Sequence, residues 1–360
     1  MGGVDVLIIA ALKEELDAVR AASGVTWTPY EGNLPFLHAD YPCRDGRRLS
    51  LALARPTRMG GRTTGQFATH LAGELKPGCL AMSGVCAGNP SDVALGDVVV
   101  AEIAYEYDEG KVTAEGLVGD HRQFRLDERW FRAAQEFDPA GLPSYGEATE
   151  QEAAVWFLER LHAGQDPRRH PARDRYFPAG TWNPRIAGLE DRGLVAWGDP
   201  GWELTAAGRS HVTRLLYNDV DGPDKLPFAV VAGPMASGSY VAKDGESWDR
   251  LAAMGVRTVV GLEMEAATIA TVAAGQNVPH WLVVKGVMDH ADPNKDDRYK
   301  RFAARAAAEV LLALLDQLAG RGPSSGPAAV VPPTSKYRVT VTGSKGVQIG
   351  DGTTQNNTFT

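Results

Sequence analysis

Four carboxylates carry the chemistry this sequence offers. Glu263 and Glu265 flank Met264 at the start of an Ala-rich segment, GLEMEAATIATVAAG (261–275). Asp289 stands just beyond a dense apolar run at 280–287, and Glu15 stands just beyond another, VDVLIIAA (4–11), within LKEEL. The Ala-rich segment reads as a helix to about Ala274 that stops at Gly275, a usual end signal. The apolar runs read as strands buried on both faces. Open α/β sheets bind ligands outside the carboxyl ends of their strands. Glu15 and Asp289 therefore fall on one side of the sheet if the strands are parallel, and an acid at a helix start could face the same pocket. The alternative is that acids in a first helical turn merely complement the helix dipole.

The elements that must position these groups need a long chain, and 360 residues are comfortable for two domains. The chain is 44% hydrophobic, enough for a sizeable core, and its net charge of −8 argues against nucleic acid as a partner held by bulk charge. Cys43, Cys79 and Cys86 show neither disulfide nor metal spacing, so a reducing cytoplasm is expected. The first twenty residues are too charged for a signal peptide, and no apolar run is long enough to span a bilayer.

Residues 49–54 read as a strand followed by RPTRMGGRTTGQFATHLAGEL, a Gly-containing loop and a helix, with Arg58 and Arg62 in or near the loop. Such a turn can hold an anion on backbone N–H groups, or the arginines are simply solvated surface. A strand at 79–85 ends in Gly84-Val85-Cys86-Ala87-Gly88, where small residues allow a ligand close to the backbone. Cys86 reads as a buried small side chain rather than a nucleophile. Residues 118–140 read as an amphipathic helix, 228–244 contain a strand, and 301–318 form a closing helix. Within the intervening segment, helices are expected at 150–165, 183–193 and 206–218, with a hairpin at LVAWGDPGWELT.

EMEAATIA, NVP and VVKGVMDHAD, together with SGVCAGNPSDVALGDVVVAEIAYEYDEGK, resemble the nucleoside phosphorylase/nucleosidase superfamily, and within it the methylthioadenosine/S-adenosylhomocysteine nucleosidases. The resemblance covers roughly residues 4–140 and 228–318. It implies an α/β catalytic domain (1–146 and 226–319) with a mixed central sheet flanked by helices, acting without a cofactor as a homodimer or higher homo-oligomer. The implied reaction is hydrolysis of the N-glycosidic bond of a purine, adenine-type, nucleoside or nucleotide. Glu15 would activate water, Asp289 would protonate the leaving base, Glu265 would accept hydrogen bonds from ribose hydroxyls, and Met264 would pack on the sugar, with Glu263 beside them. Val85, Cys86 and Gly88 would line the ligand, and Tyr240 and Val241 match an aromatic–apolar pair that lines the base pocket. In related phosphorylases the region of Arg58 and Arg62 helps hold phosphate. Lys285 stands where the nucleosidases carry Arg, and Met288 where they carry Ser. Two alternatives stay open: a phosphate-dependent phosphorylase, and a non-catalytic nucleoside-sensing assembly module.

The segment 147–225 interrupts that pattern, and IAGLEDRGLVAWGDPGWELTAAGRSHV resembles a winged helix. It carries more acids than bases, so a protein-docking or lid module is expected rather than a DNA reader. Residues 320–334 are a linker by composition. The last segment, 335–360, is poor in acids and rich in Thr, Asn and Gln, a composition for a disordered tail or for cross-β stacking. Its core Val347-Gln348-Ile349-Gly350 resembles RHIM-like amyloid signalling motifs. That implies an effector recruited by a partner with a matching motif, as similar catalytic domains are in antiphage and NLR-like systems, where some hydrolyse ATP.

Overall fold

The first strand shows why the sheet must be covered on both faces. β1 (Val6–Ile9) is buried at every position. Val6 and Ile8 enter the core on one side of the sheet, Leu7 and Ile9 the core on the other, the period-two alternation of a pleated strand. The structure, a computed structural model, describes residues 3–114, 116–199, 201–217, 222–239, 247–253, 258–292 and 297–319.

α1 (Lys13–Ser23) follows β1 directly and ends at Gly24, whose φ of 64° only glycine adopts freely. β2 (Thr28–Pro29), β3 (Phe36–Pro42) and β4 (Arg48–Ala54) form an antiparallel edge, and α2 (Gly61–Leu75) returns the chain to β5 (Cys79–Gly88). Next come β6 (Val98–Glu106), a small ribbon of β7 (Gly110–Thr113) and β8 (Gly116–Gly119), β9 (Phe124–Arg125) and α3 (Glu128–Gln135). The segment that follows holds α4 (Glu150–His162), the single turn α5 (Arg173–Tyr176), α6 (Trp182–Asp191), an antiparallel hairpin of β10 (Val195–Trp197) and β11 (Trp202–Leu204), and α7 (Ala206–Tyr217). β12 (Val230–Ser237), α8 (Ser247–Ala253), β13 (Gly261–Glu263), α9 (Ala266–Gly275), β14 (His280–Asp289) and α10 (Lys300–Leu318) complete the order.

The sheet runs β13-β12-β6-β14-β5-β1-β4-β3-β2, with β9 added to β6. It is mixed: β5 is parallel to β1 and β14, whereas β14 is antiparallel to β6. β13 also pairs with β5, Gly261 opposite Gly88 and Leu262 opposite Ala87, which closes β5, β14, β6, β12 and β13 into a ring. Helices flank this sheet, giving the mixed α/β fold. α10 lies almost bare against β14. A Cβ on Gly286 would come within 2.1 Å of the Ala303 carbonyl oxygen, so glycine is what admits the helix at this height.

The segment between α3 and β12 is not a satellite. Trp156, Phe157, Ile186, Leu189, Val195, Leu204 and Val212 belong to the same buried cluster as Val6, Ile8 and Val98. Burying each such side chain contributes about 1.5–3 kcal/mol, so this segment and the sheet stabilise one another. The described residues all belong to one compact unit. Among the described residues no helix is long and apolar enough to cross a membrane.

Several boundaries differ from the sequence expectations, three of them instructively. The helix expected over 118–140 is only α3, because Phe124 and Arg125 pair with Ala104 and Ile103 of β6 instead. Asp127 then accepts from the Arg129 amide at 3.0 Å and starts the helix there. A free strand edge within reach outweighs helical periodicity. α9 includes Gly275, and Asn277 (φ 52°) makes the left-handed turn that Gly275 was expected to make. Asp289 is the last residue of β14 rather than the residue beyond it. Tyr240, Val241, the linker and the Val347-Gln348-Ile349-Gly350 core lie outside the described residues.

Candidate active site

The carboxyl ends of β1, β5, β13 and β14 converge on a cavity of about 280 Å³. Its walls include Glu15, Glu263, Met264, Glu265, Lys285 and Asp289, with Val85 and Cys86 from the end of β5.

Glu15 enters from the first turn of α1 and is only 3% exposed. Its Oε2 accepts from the Leu12 amide at 2.9 Å and its Oε1 from the Val85 amide at 3.0 Å. Two amides from different elements thus fix the carboxylate in place. Gly84 makes room for it: a Cβ there would lie 2.5 Å from Glu15 Oε1 and 3.1 Å from Lys285 Nζ. Lys285 sits opposite Gly84 in the β5–β14 register and is 1% exposed. Its ammonium lies 3.2 Å from Glu263 Oε2 and 3.3 Å from Glu265 Oε2. Burial opposes its charge, yet Glu263, Glu265 and Glu15 hold its pKa above the usual lysine value.

Glu263 and Glu265, two residues apart, have different surroundings. Glu263 accepts from Ser237 Oγ at 2.6 Å and from the amides of Glu265 and Ala266 at 2.9 Å each. From the end of β13 it thus anchors the start of α9, where a negative charge complements the helix dipole. Glu265 accepts from the Gly60 amide at 2.7 Å and keeps its other oxygen on Lys285. Burial pushes its pKa up against the pull of Lys285, with Glu263 and Glu15 adding to the rise, to about 7. Glu265 is thus poised near neutrality inside the cavity, able to accept or share a proton with a bound hydroxyl.

Asp289 is 6% exposed, and its Oδ1 accepts from the Ala291 amide at 2.8 Å. Cys86 lines the cavity, but burial pushes its thiol far above the usual value, so no thiolate is available for attack. Gly88 does not reach the cavity. Its position packs against Val93 and Val287, and its carbonyl accepts from His290 Nδ1 at 2.7 Å. Arg58 and Arg62 are exposed and do not line the cavity.

Several lining residues carried no sequence signal. Met59, Leu12 and Leu262 join Met288, already singled out in the sequence, in an apolar wall. Asp297 and Lys300 come from the approach to α10. The Lys300 ammonium is 2.8 Å from Glu14 Oε2. The pair ties the start of α10 to the start of α1, a contact between segments nearly three hundred residues apart that no local pattern announces. Among the described lining residues, the carboxylates of Glu15, Glu263, Glu265, Asp289 and Asp297 outnumber the ammonium groups of Lys285 and Lys300, and no arginine is present.

The fold, a mixed sheet closed into a ring and flanked by helices, matches that of solved nucleosidases. Among solved structures, the 5'-methylthioadenosine/S-adenosyl homocysteine nucleosidase of Helicobacter pylori matches with a TM-score of 0.53 at 16% identity, over 88% of this chain and 100% of that one. The futalosine hydrolase of Helicobacter pylori matches at 0.51 and 16%, over 87% and 97%. The Neisseria meningitidis 5'-methylthioadenosine/S-adenosylhomocysteine nucleosidase, solved with methylthio-immucillin-A, matches at 0.52 and 17%, over 87% and 99%. At these identities the likeness is one of fold. In sequence, the chain is 26% identical over 326 residues to the uncharacterized protein y4jS of Sinorhizobium fredii (strain NBRC 101917 / NGR234), covering 88% of this chain and 62% of that protein. It thus spans less than two thirds of that relative's length. No family model matches.

Proposed function

We propose that this chain hydrolyses the N-glycosidic bond of a purine nucleoside with an adenine-type base. The observation that carries the reading is the Glu15 carboxylate, locked by the Leu12 and Val85 amides and facing the same cavity as Glu265 and Asp289. Cleavage needs a proton for the leaving base, a hold on a ribose that becomes oxocarbenium-like, and a nucleophile at the anomeric carbon. Asp289 supplies the first as general acid. Glu265 supplies the second through the ribose hydroxyls, with Met264 against the sugar. Glu15 supplies the third by polarising water.

Hydrolysis is favoured over phosphorolysis by charge. A phosphate dianion entering this cavity would meet more carboxylates than ammonium groups, and at close range in a partly buried site such repulsion costs several kcal/mol. Water carries no such penalty. The volume, close to the low end of small-molecule pockets at about 300 Å³, suits a nucleoside. The apolar wall of Met59, Met264 and Met288 suits a neutral 5' substituent. A nucleotide is the second reading, favoured by Lys300 at the wall; Arg58 and Arg62, exposed, would then meet its phosphates.

The test is release of free adenine from methylthioadenosine, adenosylhomocysteine, AMP and ATP, with and without inorganic phosphate. Phosphate-independent release with a free sugar product is expected. Release that requires phosphate and yields ribose 1-phosphate overturns the hydrolase, and no release from any substrate returns the chain to nucleoside sensing.

The tail adds a proposal that its sequence alone supports. Residues 335–360 form cross-β assemblies through Val347-Gln348-Ile349-Gly350, coupling the enzyme to a signalling partner with a matching motif. A peptide of these residues should form thioflavin-positive fibrils, and Ile349→Asp should abolish them. A wild-type peptide that stays monomeric, alone and when seeded, overturns this.

A further inference from the structure

Behind Asp289 lies a buried polar cluster that the proposed reaction does not use. Glu159 and Arg160, the latter 0% exposed, come from α4, in the segment that interrupts the resemblance to the nucleosidases. Arg160 Nη2 donates to His290 Nε2 at 2.8 Å and also pairs with Glu159. Arg160 Nη1 donates to the Pro90 carbonyl at 2.7 Å and to Gln165 Oε1 at 2.9 Å. His290, in turn, immediately follows Asp289. An arginine cannot accept a hydrogen bond, so Nε2 of His290 is the acceptor and Nδ1 carries the proton that goes to the Gly88 carbonyl. The His290 carbonyl accepts from Trp248 Nε1 at 2.8 Å. His290 is thereby held at both ring nitrogens and at its backbone.

The turn it belongs to needs holding. Ala291 has a φ of 57°, in the left-handed region that a residue with a Cβ adopts only under strain. Such strain persists only where neighbouring contacts over-determine it. The same turn brings the Ala291 amide onto Asp289 Oδ1. If the grip on His290 relaxed, Ala291 would be free to leave this conformation and the Asp289 carboxylate would lose its fixed bearing on the cavity.

We propose that Glu159 and Arg160 are positioning residues for Asp289: the α4 segment reaches through His290 to hold the strained Asp289–Ala291 turn in its reactive geometry. The segment is thereby part of the catalytic device. The inference rests on the reading of Asp289 as the general acid. Glu159 keeps Arg160 from being a lone buried charge; burial would push its carboxyl up, but the guanidinium of Arg160 holds it down.

The test is steady-state kinetics of base release by the full-length protein, with thermal unfolding measured alongside, for Asp289→Asn, Glu159→Gln, His290→Asn and His290→Gln. His290→Asn can still reach the Gly88 carbonyl but not Arg160; His290→Gln can still offer Arg160 an acceptor. We expect kcat to fall about 10- to 100-fold in Glu159→Gln and His290→Asn, the size of effect of a misplaced reacting group, with KM little changed and the folded fraction intact. His290→Gln should recover most of the loss. Unchanged kcat in Glu159→Gln and His290→Asn, with Asp289→Asn inactive, overturns the positioning role alone. A loss that merely tracks unfolding, or that appears in KM, overturns it too. Near-normal activity in Asp289→Asn removes the reading of the acid and this inference with it.

Discussion

Gly84 and Lys285 face one another across β5 and β14, and the absent side chain of the first is the space occupied by the second and by the Glu15 carboxylate. The ammonium of Lys285 can lie within 3.3 Å of both Glu263 and Glu265 only because the strand beneath it is bare.

Gly84→Ala is therefore a functional rather than a folding lesion. The new methyl would meet Glu15 Oε1 at 2.5 Å, the far end of a side chain that can swing away. The fold adjusts cheaply, but Glu15 leaves its two amides. A displacement of about 1 Å at a reacting group can cost on the order of 100-fold in rate. Base-release kinetics should show that loss with a melting temperature near that of the wild type; a fully active Gly84→Ala protein would contradict the role given to Glu15.

Asp289→Asn removes the proposed proton donor while keeping shape. The rate of base release should fall by at least ~100-fold, the usual size for general acid catalysis. The loss should be smaller for substrates whose leaving group needs no proton, which a series of nucleosides with increasingly acidic bases would reveal.

Glu265 ties stability to pH. Its folded pKa, about 7, lies above the ordinary value of 4.5, so between those values the folded state binds more protons than the unfolded one. Stability from this group is present below about pH 4.5 and is lost as pH rises through 7. The melting temperature of the wild type minus that of Glu265→Gln should fall across this window. A flat difference would mean that Glu265 does not titrate there. Glu265→Gln should also slow turnover by weakening the hold on ribose.

Arg175 of α5 bonds Asp97 Oδ2 at 2.8 Å, and Asp97 is 1% exposed beside β6. Arg175→Ala leaves that carboxylate with the amides of Ala94 and Ala229 and no counter-ion. Thermal or urea unfolding should show a loss of about 3 kcal/mol, the low end for a broken buried pair. Deleting 147–225 should be far worse. Its removal strips Trp156, Phe157 and their neighbours from the main core, so the truncated chain should be insoluble or unfolded rather than a trimmed enzyme.

What could be read from the sequence follows the range of the interactions. The runs at 4–11 and 280–287 announce buried strands because apolar residues fill most of their positions, and with the strands come their carboxyl ends and the acids placed there. Cys86 reads as an inert buried thiol for the same local reason, a small residue in an apolar strand. The approach of Lys300 to Glu14 and the bond from Arg160 to His290 are not legible. Each depends on two segments far apart in the chain meeting at a specific height. The short α3 shows the same limit: helical periodicity from 118 onward lost to a β6 edge that the sequence does not show to be vacant.

The pairing of β14 with β5 sets His280 opposite Cys79, about 200 residues earlier in the chain. At typical synthesis rates, roughly 10–40 s pass between the emergence of these two strands. Through that interval β5, apolar along most of its length, has neither β14 nor β13 beside it, and Glu15 faces no Asp289. Until β14 has been made the acids proposed for the site cannot assemble, and over that interval β5 carries a bare strand edge. The protein's yield in a cell should depend on holdase chaperones, or on slow translation past β14, more steeply than its final melting temperature would indicate.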